Sequence, residues 1–392
     1  MQDYQYLIIG GGIAANAALG GIRQENNSVK IGLLSSENHL PYNRPPLSKK
    51  LWLGEPFETV WCNTPLEDVE IHLGKKVVSI NPKEKIVIDD TGKSYHYGKL
   101  LIATGGKTRK LPFNADGIIY FRTLDDYYSL RELTEKSNDF LVIGGGFIGS
   151  EIAAALTIND KSVTMIFPDK TIGANVYPKA LSRFISDYYE TKGIKILAKD
   201  GVENIEKRNS KYYVKTKSGH ELIVDGVVAG IGIEPDTELA KSAGLKIDNG
   251  IVVNELLQTS HPDIYAAGDV ANYYNPALDK RRRVEHEDNS LVMGELAGRN
   301  MAGGSTPYHH LPYFYSDLFD LAYEAVGELN SGYEIFEDWK EEFREGVVYY
   351  LNEGRVRGVL LWNTWDQVDN ARKLIVAKDI LSTHDLKNRL PE

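Results

Sequence analysis

The stretch Tyr6-Leu7-Ile8-Ile9-Gly10-Gly11-Gly12-Ile13-Ala14-Ala15 decides how this chain folds. A short apolar run fits a strand buried on both faces, and three glycines end it. The alanine-rich sequence beyond has helical character. The spacing Gly10-x-Gly12-x-x-Ala15 gives each small residue a task. Gly10 permits a tight turn, Gly12 lets a pyrophosphate approach the backbone, and Ala15 lets the helix lie close to the sheet. Exposed N–H groups and the helix dipole then hold the phosphates.

The same order returns about 130 residues later, too long a period for a solenoid. Phe140-Leu141-Val142-Ile143 leads into Gly144-Gly145-Gly146, then Phe147-Ile148-Gly149-Ser150-Glu151 and another alanine-rich helix. Gly144-x-Gly146-x-x-Gly149 is complete. Two such units predict an α/β chain with two Rossmann-like dinucleotide-binding domains.

Each unit should end its second strand on an acid that binds ribose hydroxyls. In the second, the strand Ser162 to Phe167 runs into Pro168-Asp169, and Asp169 lies 20 residues past Gly149. A carboxylate there repels a 2′-phosphate and favours NAD over NADP. In the first, Val29 to Leu34 runs into Ser35-Ser36-Glu37, so Glu37 or Ser36 takes that place.

A third signal is the strand that runs from Thr259 into Ala267-Gly268-Asp269. Asp269 there can accept a hydrogen bond from a ribityl hydroxyl. Together with the Ala103-Thr104-Gly105 turn it points to a flavin on the first loop. Strand pairs follow both units, Lys85 to Gly92 with Lys99 to Gly106, and Tyr212 to Gly219 with Val227 to Gly232. From Pro307 the pattern changes to aromatic-rich strands and one helix, an α+β domain. The expected boundaries are 1–110 and 241–306 for the FAD-binding domain, 111–240 for the NAD-binding domain, and 307–392 for the C-terminal α+β domain.

Bulk properties narrow the chemistry. The net charge of −10 disfavours nucleic acid, and the basic run Lys280-Arg281-Arg282-Arg283 reads as a solvated loop. The one cysteine, Cys62, cannot form an intramolecular disulfide or a Cys-x-x-Cys pair. The sequence enters a strand pattern at once and shows no apolar stretch of membrane-spanning length, so the expected location is cytoplasmic.

At these motifs the chain resembles the two-dinucleotide-binding (pyridine nucleotide-disulfide oxidoreductase) flavoproteins, of glutathione-reductase-like fold. Within them it is most similar to the apoptosis-inducing-factor and ferredoxin-reductase branch. The resemblance rests on Leu40-Pro41-Tyr42-Asn43-Arg44-Pro45-Pro46-Leu47-Ser48-Lys49, Gly144 to Glu151, Ile233-Glu234-Pro235, Arg282-Arg283-Val284-Glu285-His286, Phe314-Tyr315-Ser316-Asp317-Leu318 and Tyr323-Glu324-Ala325-Val326-Gly327. It implies that Arg44 and Arg122 contact the FAD phosphates or adenosine, and that Ala103, Thr104, Gly105, Gly232 and Gly268 line the cofactors. It implies a Lys49–Glu151 ion pair beside the isoalloxazine, Phe147 over the nicotinamide pocket, and Glu285, His286 and Tyr315 around the ring. Tyr315 stands where apoptosis-inducing factor carries Trp, and Glu287 where it has a second His.

The expected activity is transfer of a hydride from NADH to FAD and of electrons onward to a ferredoxin, rubredoxin or quinone. The alternatives are an NADH-binding redox sensor with slow turnover and a cysteine-dependent oxidase or peroxidase. A homodimer is compatible with all three.

Overall fold

The computed structural model describes residues 2–113 and 115–390. Its contacts divide the chain into two compact units, Met1–Asn43 with Val60–Lys107 and Glu234–Phe314, and Arg44–Thr59 with Thr108–Ile233 and Tyr315–Glu392.

In the first unit, Gln2–Ile9 lies inside a sheet, parallel to Ile31–Leu34 on one side and to Ser94–Ile102 on the other. Val69–His72 extends the sheet beyond Ile31–Leu34, and Ile264–Ala266 also pairs parallel with Ser94–Ile102. The run Tyr6 to Ile9 is buried throughout, as an inner parallel strand requires. Ile86–Asp89 and Val77–Asn81 add an antiparallel meander.

The helix Ile13–Glu25 packs on the helix Glu287–Met301 at backbone distance. A Cβ on Gly21 would meet the Glu295 carbonyl at 2.0 Å, one on Gly294 the Ala14 carbonyl at 2.3 Å, and one on Gly298 the Ala18 carbonyl at 2.2 Å. These glycines set the helix separation, which ties the glycine loop at one helix start to the 287–301 helix.

The second unit repeats the parallel plan. Its sheet runs Lys195–Ala198, Ser162–Phe167, Asp139–Ile143, Gly226–Ala229 and Ile119–Tyr120, with the helix Phe147–Ile158 following the central strand. The hairpin strands Lys211–Thr216 and Glu221–Val224 pair antiparallel, joined by Val202–Arg208. The C-terminal part is a five-stranded sheet from Tyr313–Leu318 to Arg355–Trp362, with the helix Val368–Ala377 after it. The segment 44–59 folds as short 3-10 turns, and its Trp52 carbonyl accepts from Asn159 at the end of the helix Phe147–Ile158.

The basic run is not a solvated loop. Lys280–Arg282 is an edge strand paired with Ala271–Asn275. Arg281 donates to the Val253 and Asn272 carbonyls, and Arg283 donates to the Asp269 carbonyl. Backbone acceptors at strand ends hold these guanidiniums, which composition alone does not reveal.

The helix contact yields a pair of opposite outcomes. Gly298→Val should destabilise the protein by about 2–3 kcal/mol or more, because a carbonyl cannot retreat as a side chain can. Gly20→Ala, in the same helix but where a Cβ would meet nothing within 4 Å, should stabilise by about 0.5–1 kcal/mol. Thermal unfolding of both variants checks the pair.

Candidate active site

Both glycine loops have the geometry their spacing requires. Gly10 has a φ of +128° and Gly144 of +119°, and a Cβ on either would sit 2.2–2.3 Å from a carbonyl, of Ala103 and Gly230 respectively. Ala15 is fully buried, and a Cβ on Gly149 would meet the Gly144 carbonyl at 2.1 Å. Gly12 and Gly146 are the N-caps of their helices, neither makes a side-chain cap, and a Cβ on either would touch nothing within 4 Å. Each helix therefore starts on a glycine with room beside it and no side-chain cap, a setting that suits an anion such as pyrophosphate.

Around the first loop, the Ala103 amide donates to Ile9, Thr104 Oγ1 to the Asp236 carbonyl, and Gly105 turns with φ +68°. Glu37 is partly buried and accepts from the Tyr42 hydroxyl at 2.6 Å, whereas Ser36 is exposed. Gly268 turns with φ +77° into Asp269. The Asp269 carboxylate lies 3.4 Å from Ser290 Oγ, and its carbonyl accepts from Arg283. Arg283 also pairs with the half-exposed Glu285 at 2.6 Å.

His286 caps the helix Glu287–Met301 and stacks on Phe314, with ring centroids 4.2 Å apart. Desolvation, reinforced by Arg282, pushes its pKa down to about 4, against the opposing pull of Asp269 and Asp288. Cys62 is pushed up to about 11, by burial first and Glu287 second. That thiol is a poor source of thiolate, which argues against the cysteine-dependent oxidase or peroxidase.

In the second unit, Arg44 donates to the Arg122 carbonyl at 2.9 Å, just ahead of the helix Leu124–Lys136. Asp169 is exposed just past the strand Ser162–Phe167, its carbonyl accepting from Lys199. Gly232 turns with φ +89°, its carbonyl accepting from Arg109. Phe147 opens the helix whose next turn carries Glu151, on the same face.

Lys49, Glu151 and Tyr315 come together. Lys49 Nζ lies 2.8 Å from Glu151 Oε1, the two side chains only 7% and 2% exposed, and sits 5.2 Å from the centre of the Tyr315 ring. Ser48 and Ser316 each donate to the same carboxylate at 2.6 Å. Neighbouring Asp317 has its carboxyl pushed up by burial, with Lys49 pulling it down and Glu151 raising it further. Sequence reasoning did not single out Ser48 or Ser316, although each adjoins a residue it did name. It also passed over Arg283 and Phe314, inside segments it quoted.

The His286 shift has a consequence for stability. Because the folded pKa lies below the ordinary histidine value, the unfolded chain takes up a proton that the folded chain resists. Stability should be lost as pH falls from about 6.5 toward 4. His286→Gln should make that acid-side loss shallower in melting curves recorded across this range.

The family model described as pyridine nucleotide-disulphide oxidoreductase matches residues 4–294. That of the apoptosis-inducing factor, mitochondrion-associated, C-term matches 333–377. The mitochondrial apoptosis-inducing factor 1 of Dictyostelium discoideum is 36% identical, covering 96% of this chain and 79% of its own. A Sphingobium 5,5′-dehydrodivanillate O-demethylase ferredoxin reductase subunit is 33% identical, covering 96% of this chain and 94% of its own. Putidaredoxin reductase, in a covalent complex with putidaredoxin, superposes with a TM-score of 0.92 at 29% identity over 100% of this chain and 97% of that one. No helix among the described residues is long and apolar enough to cross a membrane. The chain belongs to the pyridine nucleotide-disulphide oxidoreductase family, in the branch shared by apoptosis-inducing factors and ferredoxin reductases, and is an oxidoreductase that works with FAD and NAD(H).

Proposed function

We propose that this chain binds FAD on the Gly10–Ala15 loop and NADH on the Gly144–Gly149 loop, and reduces an electron acceptor such as a ferredoxin, a rubredoxin or a quinone. The observation that carries the reading is the doubled glycine loop, each copy opening an uncapped helix N-terminus onto free space. The residues present fit the cofactors in another respect. Among the described residues no acceptor meets the buried Arg283 Nε, which lies beside Asp269 and Glu285, as a donor to a bound group would. In this reading 1–110 and 241–306 hold FAD, 111–240 holds NADH, and 307–392 is the C-terminal α+β domain, within a reducing compartment such as the cytoplasm.

Bound flavin supplies the chemistry that accepts a hydride and releases electrons singly or in pairs. The chain's own residues bind and orient. Arg44 and Arg122 hold the phosphates or adenosine of FAD, Glu37 or Ser36 its ribose, and Asp269 its ribityl chain. Asp169 accepts from the NADH ribose. Ala103, Thr104, Gly105, Gly232 and Gly268 give the backbone close approach, and Phe147 covers the nicotinamide pocket. Glu285, His286 and Tyr315 surround the ring, where Lys49 supplies positive charge and Glu151 holds it in place. With its pKa near 4, His286 serves there as a neutral ring at neutral pH.

The ferredoxin reductase relative and the putidaredoxin reductase complex support an iron–sulfur acceptor. A second reading, an NADH-binding redox sensor with slow turnover, is favoured by the match of 333–377 to the apoptosis-inducing-factor model.

Steady-state assays with NADH and ferredoxin, quinone or ferricyanide separate the two. Rapid reduction of an iron–sulfur protein or quinone is expected. Negligible turnover with all three, with a long-lived charge-transfer band after NADH addition, would favour the sensor. NADH should be preferred over NADPH by at least about tenfold, and Asp169→Ala should narrow that ratio. An unchanged ratio would remove Asp169 from the ribose site.

A further inference from the structure

Lys49 sits at the joint between two 3-10 turns, Pro45–Ser48 and Lys50–Leu53. Its amide donates to the Pro46 carbonyl at 3.2 Å, and its carbonyl accepts from the Trp52 amide at 3.0 Å. Turns this short make poor hydrogen bonds and hold little by themselves. A lysine carries its ammonium on a long flexible stem, so the place of the charge depends on the place of the backbone. Glu151 is in the opposite situation, buried one turn into the helix Phe147–Ile158.

Trp52 braces the joint. Its indole Nε1 donates to the Leu47 carbonyl at 2.7 Å, which closes a loop around Ser48 and Lys49. The indole is buried, with Tyr127 edge-on at 5.8 Å and the Arg131 guanidinium over it at 4.8 Å, both from the helix Leu124–Lys136. The Trp52 carbonyl accepts from Asn159 Nδ2 at 3.1 Å, and Asn159 is the C-cap of the helix that carries Glu151. The same Nδ2 donates to the Ala155 carbonyl at 2.8 Å, while Oδ1 accepts from Arg131 at 3.4 Å. Carbonyls on the nitrogen and a guanidinium on the oxygen fix the sense of the amide.

We propose that Trp52 and Asn159 are positioning residues for the ion pair: they tie the turn that carries Lys49 to the helix that carries Glu151, and so hold Lys49 Nζ at 2.8 Å from the carboxylate. Packing alone accounts for a buried aromatic ring at position 52. It does not account for an indole N–H directed at the carbonyl just ahead of Ser48 and Lys49, nor for a carbonyl bonded to the end of the helix of Glu151.

The inference rests on the reading that Lys49 acts beside the flavin. The test uses FAD-loaded wild type, W52F, N159A, K49A, W52F/K49A and N159A/K49A. Phenylalanine keeps an aromatic ring beside Tyr127 and Arg131 and removes the indole N–H, and alanine removes the Asn159 donor. Stopped flow gives the limiting rate of flavin reduction and the Kd for NADH, dye equilibration gives the midpoint potential, and thermal melting gives the stability.

W52F should slow the limiting rate on the order of tenfold, the scale on which a small displacement of a group beside a reacting centre acts. N159A should slow it by about threefold, as loss of one neutral hydrogen bond from the tie would. Both should lower the potential while the Kd holds. Neither substitution should slow K49A further, because both act through the lysine.

Wild-type rate and potential in either W52F or N159A would overturn the tie, whatever the melting temperature, since a residue that only packs changes stability and leaves the flavin alone. A double variant as slow as the product of its two single effects would overturn it as well. If W52F does not fold, N159A and N159A/K49A still decide. K49A separates the two levels. A slow K49A beside unimpaired W52F and N159A sinks the tie alone, whereas an unimpaired K49A sinks the placement of Lys49 beside the flavin.

Discussion

A carboxylate and an ammonium taken out of water make the interaction on which the proposed chemistry depends. The Lys49–Glu151 pair is almost wholly buried, and burying two charges costs several kcal/mol per ion unless geometry and hydrogen bonds offset it. Here they do so in part, because Ser48 and Ser316 occupy acceptor positions that water would otherwise fill. A pair arranged in this way is weak as a source of stability and strong as a source of fixed field. The structure thus holds a positive charge in a dry place next to an aromatic ring, Tyr315.

The glycine loops are a constraint of a different kind, steric rather than electrostatic. Gly10 and Gly144 each turn where a side chain would strike a carbonyl, while Gly12 and Gly146 face open space. The contrast separates two roles that a sequence pattern merges, one glycine needed by the fold and another needed by whatever approaches it. The close helix pair 13–25 and 287–301 extends the first role, since Gly294 and Gly298 bring the helix after His286 against the helix after Gly12.

The architecture was legible because it is carried by local signals. Apolar runs ending in glycine marked the inner parallel strands, and the spacing to Asp169 located the end of the strand Ser162–Phe167. Strand lengths were less legible. The first strand reaches back beyond the apolar run Tyr6 to Ile9, to Gln2, through pairing with Ser94–Ile102. The strand before Asp269 shrinks to Ile264–Ala266, because His261 and Thr259 close a turn just ahead of it. The Ser48 and Ser316 clamp could not be read at all: serine carries no periodic signal, and the two meet only through the fold. The family resemblance supplied Lys49 and Glu151, whereas the structure supplied the partners that hold them.

In the proposed chemistry Lys49 and Glu151 act as one unit on flavin reduction. Stopped-flow reduction by NADH of wild type, Lys49→Ala, Glu151→Ala and the double variant tests it most directly, with FAD retention confirmed in each. Both single variants should be slow, and the double variant less impaired than the product of the two effects. Wild-type rates in both single variants, or full additivity of the two barriers, would contradict it.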